Sequence, residues 1–135
     1  MGNNQHLKRH SAPVAWPVRR KNITFIAKPN AGSHASRYVV PVVVLLRDVL
    51  GYAETAKEVK LVINNQEVLV NGKRVNEFRF PVGLFDVFEI KGINEKYIVL
   101  FNEFGKLKLV PAKDNTLYLK VKGKKLTKGG KYQLN

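Results

Sequence analysis

The chain contains no cysteine. Disulfides, thiolate nucleophiles and cysteine-based metal sites are therefore excluded, while the redox compartment is left undecided. Acids are scarce: ten Asp and Glu stand against 24 Lys and Arg. No long hydrophobic run is present. The most apolar stretch, Tyr38 to Leu46, falls far short of the roughly 20 residues a helix needs to span a bilayer. The first residues, Met1 to Gln5, are polar and lack the apolar core of a signal peptide. A Met-Gly start with His6 where Ser or Thr is needed does not fit a myristoylation signal.

What is present is positive charge, unevenly placed. The net charge is +14. Residues 1–47 hold eight Lys or Arg and no acid, residues 48–114 hold ten of each sign, and residues 115–135 hold six Lys and no acid. Solubility does not require a balanced middle between two positive ends. A phosphate backbone explains it, because each paired phosphate releases counterions. A membrane surface is the rival anion, but neither end has the large apolar face of an interfacial helix. With 135 residues, 44% of them hydrophobic, the chain can build one ordinary domain or two small ones around a real core.

The clearest local signals lie between Thr55 and Val75. Thr55 and Glu58 have capping-box spacing, and Ala56, Val59, Val62 and Ile63 then share a helical face. After Asn64-Asn65 the period becomes extended, with Val68 and Val70 before Asn71-Gly72 and Val75 after it. Asn-Gly predicts a type I′ hairpin turn, which needs positive φ at both positions.

Upstream, Val42, Leu45, Leu46, Val49 and Leu50 follow helical spacing. Pro41 argues against a central strand and suits a helix start. The reading is a helix from Pro41 to Leu50, ended by Gly51. Residues 1–37 read as an extension: three prolines, no continuous periodicity, two basic clusters and a possible short strand at Ile23–Ile26. Trp16 either stacks on a base or folds back as a hydrophobic anchor. Downstream, Phe78 and Phe80 alternate with Arg79. Pro81 and Gly83 break that run, and Val87 to Ile90 resumes it to close a small sheet. Gly92 and Asn94 mark a boundary. Strands are then predicted at Tyr97–Phe101, at Leu107–Leu109, and at Leu117–Val121, where Leu117, Leu119 and Val121 point to a core and lysines point away. A further strand begins at Lys131.

No catalytic constellation is visible. The acids form no pair for general acid–base work. Ser11, Ser33 and Ser36 lack a nucleophile-elbow context. Gly129-Gly130 precedes a strand pattern, so it is not a phosphate-cradling loop. His6, His10 and His34 lack metal-ligand spacing. The expectation is a non-enzyme without cofactor, metal site or small-molecule substrate.

Two resemblances rest on these residues. The stretch "LGYAETAKEVKLVINN" followed by "EVLVNGKRVN" resembles the S4-type RNA-binding domain, in which two short helices pack on a small sheet and present a basic edge to RNA. The wider series is similar to the archaeal and eukaryotic small-subunit ribosomal protein S4e family. It comprises His6-Leu7-Lys8-Arg9, Ala12-Pro13, Trp16, "AKPNAGSH", Leu46-Arg47-Asp48, "VNGKRV" and "FPVGLFDVFEI". The order and number of pieces make this match far more specific than any one of them. One departure is notable: many S4-type domains carry an arginine near the start of each helix, whereas here the helices begin Pro41-Val42 and Ala56-Lys57. That shifts binding toward the arm.

The resemblance implies an α+β protein in three parts. These are a basic extension over residues 1–37, an S4-type domain with two helices and a small sheet over 38–92, and a mostly β part over 93–135. In the family a further β module follows this last part. The implied function is a structural constituent of the cytoplasmic small ribosomal subunit, one copy per subunit, touching rRNA and neighbouring ribosomal proteins but no membrane. The archaeal side of the family is favoured. The alternatives are an accessory domain of an RNA-modifying enzyme and a transient ribosome-associated factor. Candidate RNA contacts are His6, Lys8, Arg9, Trp16, Arg19, Arg20, Lys21, Lys28 and Arg37 in the arm. In the central part they are Arg47, Lys57, Lys60, Asn71, Gly72, Lys73 and Arg74. In the tail they are Lys120, Lys122, Lys124, Lys125, Lys128 and Lys131. Their role is phosphate neutralisation and positioning rather than base reading.

Overall fold

A computed structural model describes residues 6–113 and 116–135; the polar start at Met1 to Gln5 lies outside the described residues. Two short strands of the arm, β1 (Leu7–Lys8) and β2 (Phe25–Ile26), pair antiparallel. Next comes β3 (Val39–Pro41), which runs directly into helix α1 (Val42–Val44) and its π-helical continuation Leu45–Val49. Helix α2 spans Ala56–Gln66. The hairpin β4 (Val68–Val70) and β5 (Lys73–Arg74) follows, then β6 (Pro81–Gly83), β7 (Val87–Ile90), β8 (Glu95–Phe101) and β9 (Leu107–Pro111). The chain closes with a separate hairpin, β10 (Lys124–Leu126) and β11 (Tyr132–Leu134). The main sheet is antiparallel in the order β5-β4-β7-β8-β9, and β3 pairs with β6.

Several local expectations hold for local reasons. Asn71 and Gly72 have φ of 51° and 76°, as a type I′ turn requires. Thr55 Oγ1 accepts from the Glu58 N–H at 3.3 Å, and Glu58 Oε2 accepts from the Thr55 N–H at 3.4 Å, completing the capping box. The helix does not stop at Asn64-Asn65, however. It continues to Gln66, and Glu67 ends it in the left-handed region at φ 47°.

The first helix differs more. Pro41 is the last residue of β3 and caps the helix from an extended conformation. Its ladder partner is Pro81, so neither proline is asked for a donor it lacks. The helix turns α for three residues and then widens. The Leu50 N–H reaches the Leu45 carbonyl at 2.9 Å, and Gly51 at φ 71° ends it. The valine run is helical because Val42, Val43 and Val44 are fully buried, and packing overrides propensity. The N–H groups of Val42 and Val43 donate to the carbonyls of Phe80 and Phe78, both at 3.0 Å. That demand bends Phe78-Arg79 into a turn, so the expected alternating strand is absent there. The strand forms instead at Pro81–Gly83, where a break was expected.

One core joins arm, helices and sheet. Ala12, Trp16 and Ile26 from the arm share it with Leu46, Val59, Ile63, Phe88, Ile90, Val99 and Leu107. The Leu107 N–H donates to the Ala15 carbonyl at 2.7 Å, tying the arm to β9. Because β7 pairs with β8, hydrogen bonding runs across the division expected at residue 92. The strand expected at Leu117–Val121 does not form. Residues 116–123 have no ladder, and Leu119 is 86% exposed; the Tyr118 ring instead lies 5.9 Å from that of Phe85, and the Lys122 and Gly123 N–H groups donate to the Asn135 carbonyl.

Candidate nucleic-acid interface

The hairpin turn is fixed from below by a buried carboxylate. Asp86 is 7% exposed. Its oxygens accept from the Gly83 N–H at 2.7 Å and the Asn71 amide at 2.7 Å, and its Oδ1 meets His34 Nε2 at 3.2 Å. The Asn71 side-chain oxygen accepts from the Val87 N–H at 2.8 Å. Asp86 thereby holds three segments together: the arm loop through His34, the hairpin turn through Asn71, and the β6–β7 turn through Gly83. A Cβ on Gly83 would meet the His34 ring at 2.4 Å, so glycine is needed for this approach. Sequence reading missed Asp86 and His34, because the two lie 52 residues apart.

The acids of the balanced middle are largely engaged. Asp48 pairs with Arg9 at 3.1 Å and Arg47 at 2.8 Å, and Glu67 with Lys91 at 2.8 Å. Glu95 accepts from the Tyr52 and Tyr97 hydroxyls. These bonds hold its carboxyl below the usual range, Tyr52 first, and raise both phenols. The Glu67 carboxyl is likewise lowered, first by its hydrogen bond from Lys91. Among the described residues, no acid pairs with Lys8, Arg19, Lys21, Lys57, Lys73 or any tail lysine.

The predicted contacts therefore sort into groups. His6, Lys8, Arg19, Lys21, Lys28 and Arg37 of the arm are exposed, and Arg37 lies 5.2 Å over the Tyr38 ring. Arg20 is half-buried and donates to the His10 carbonyl at 2.6 Å. Lys73 and Arg74 are exposed beside the turn, as are Lys57 and Lys60, the latter 4.8 Å over the Phe78 ring. Lys120, Lys122, Lys124, Lys125, Lys128 and Lys131 are all exposed. Two predictions need correction. Arg9 is 1% exposed, paired with Asp48 and donating to the Arg19 carbonyl at 2.7 Å, so its charge is spent inside the fold. Trp16 is 2% exposed within the core, so of its two alternatives it is the hydrophobic anchor, and its ring is not free to stack on a base. Arg47 is half-buried, with both its contacts on Asp48.

Fold and surface together define a basic α+β protein of the S4 class. The S4 domain family matches residues 40–88, and the RS4NT (NUC023) domain family matches residues 1–37. The chain is 44% identical, over its whole length, to the small ribosomal subunit protein eS4 of Methanosphaera stadtmanae, and 44% identical over 96% of its length to that of Nanoarchaeum equitans. It covers 57% of each of these relatives, so it spans little more than half their length. The crystal structure of the 30S ribosomal protein S4e from Thermoplasma acidophilum superimposes with a TM-score of 0.53 at 34% identity, covering 72% of this chain and 51% of that one. The chain belongs to the S4e family of small-subunit ribosomal proteins.

Proposed function

We propose that the chain is a structural, non-catalytic constituent of the small ribosomal subunit in the cytoplasm, one copy per subunit, held on rRNA and beside other ribosomal proteins. The observation that carries this reading is the set of exposed cations on arm, hairpin and tail that have no acid partner, while most described acids of residues 48–114 are engaged within the fold. Such a surface binds a phosphate backbone by charge and shape. In this reading residues 1–37 form a docked basic arm, and 38–92 an S4-type RNA-binding unit with two helices on a small sheet. Residues 93–135 add β structure and a basic tail.

Sucrose-gradient fractionation of a lysate tests it. The protein should track stoichiometrically with the small subunit and full ribosomes and remain after a wash at about half-molar salt. Recovery only at the top of the gradient would favour an accessory domain of an RNA-modifying enzyme. Loss in the salt wash would favour a transient factor.

A further inference from the structure

A groove of about 360 Å³ opens between the arm loop and the hairpin turn, above Asp86. Resting on the RNA-binding reading, we propose that this groove takes one unpaired RNA nucleotide, and prefers a base with an exocyclic amino group. Its size falls in the range of sites that enclose a small ligand. One wall is the arm loop, with Asn30 and Ser33; the other is the turn, with Asn71 and Lys73. Phe80 and Pro81, both half-buried, supply an apolar surface against which a base can lie. Single-stranded RNA is recognised in this way, by stacking or apolar contact for the base plus hydrogen bonds at its edge.

The walls are fixed before any ligand arrives. Asp86 ties His34 of the loop and Asn71 of the turn to one carboxylate. A Cβ on Gly32 would meet the Pro81 ring at 2.5 Å, so the loop sits as close as its backbone allows. Charge then orients the nucleotide. Lys73 is exposed and takes the phosphate. Glu77 is exposed and also lines the groove, and it has no side-chain partner among the described residues. A carboxylate there repels phosphate and accepts from an amino group, so the base edge belongs on the Glu77 side. Asp86 cannot compete for it, because its oxygens are already occupied.

Oligocytidine and oligouridine of equal length differ at the exocyclic position and share ring size, so their affinities for the full chain at matched salt test the idea. Oligocytidine should bind tighter by on the order of tenfold, the lower end of what a hydrogen bond to a charged group supplies. Glu77→Gln should shrink that preference, and Ala31→Trp, which fills the groove, should abolish it. Duplex RNA binding should be unchanged in both variants. In the unaltered chain, oligocytidine should also shift the Asn30 and Asn71 side-chain amide resonances, a readout that needs no variant to fold. Equal binding of the two oligomers, or amide signals that do not move, would overturn the groove while leaving duplex binding intact. Tighter binding of free cytidine monophosphate than of the oligomer would overturn RNA as the occupant. Failure to bind any RNA would sink the proposed function, and the groove with it.

Discussion

Arg9→Met is the substitution that most directly separates a structural cation from an RNA-binding one. Arg9 lies in one of the two all-positive ends of the chain, yet its side chain is buried. It donates to Asp48 at 3.1 Å and to the Arg19 carbonyl at 2.7 Å. Breaking a buried pair on one side costs about 3–5 kcal/mol when the surviving charge is stranded. Here Asp48 keeps two bonds from Arg47, at 2.8 and 3.2 Å, and is 14% exposed, so it is not stranded. Arg9 Nε has no protein partner, which reduces the gain from burying the guanidinium. The expected loss is therefore roughly 2–3 kcal/mol, mostly from the two charge-assisted bonds. Urea denaturation followed by tryptophan fluorescence suits the measurement, since Trp16 reports on the same arm. The salt dependence of RNA binding should not change, because Arg9 meets no phosphate. Its neighbour Lys8 should behave in the opposite way. Lys8→Ala should leave stability within about 0.5 kcal/mol and flatten the salt slope by about one unit. If Arg9→Met left stability unaltered and flattened the slope, the arm would not be docked on the core, and its assignment as a packed element would be refuted.

The paired substitution Lys73→Ala with Arg74→Ala should weaken rRNA binding and flatten its salt slope by up to about two units, read by filter binding across salt; an unchanged slope would remove the hairpin from the interface. Gly83→Ala should cost about 1–3 kcal/mol in chemical denaturation, because the new methyl meets the His34 ring and must displace it. The Glu58 carboxyl is held below its ordinary value of 4.5, first by the Glu54 N–H and then by Thr55. A lowered folded pKa contributes stability above the unfolded value and loses it as the pH falls through the folded one. Helicity by circular dichroism should therefore decline in acid below about pH 4.5, and Glu58→Gln should lack that component of the decline.

Much of this protein was legible because the relevant physics is local or compositional. The capping box needs two residues three apart. The hairpin turn needs Asn-Gly and its positive φ. The helical face of Val59 and Ile63 and the segregation of charge are likewise properties of short windows or simple sums, and they hold in the folded chain. The interface was legible only as a pool of cations. Exposure divides that pool, and exposure depends on what packs where. Arg9 differs from Arg19 in what the core and Asp48 offer it.

Sequence alone thus determined the turn at Asn71-Gly72, the start of α2 and an excess of positive charge suited to a polyanion. Each follows from backbone preference or net charge, which neighbours in space do not alter. Tertiary structure decided the rest. The pairing of Val39–Pro41 with Pro81–Gly83 placed a strand at the Pro81–Gly83 break. The open carbonyls of Phe78 and Phe80 became the cap of α1. Residues 116–123 form no ladder; their Tyr118 ring packs on Phe85, and their Lys122 and Gly123 N–H groups reach the Asn135 carbonyl. Asp86, between β6 and β7, became the point where arm and hairpin meet. Each depends on hydrogen bonds and burial between segments far apart in sequence, and no local pattern encodes which distant partner will arrive.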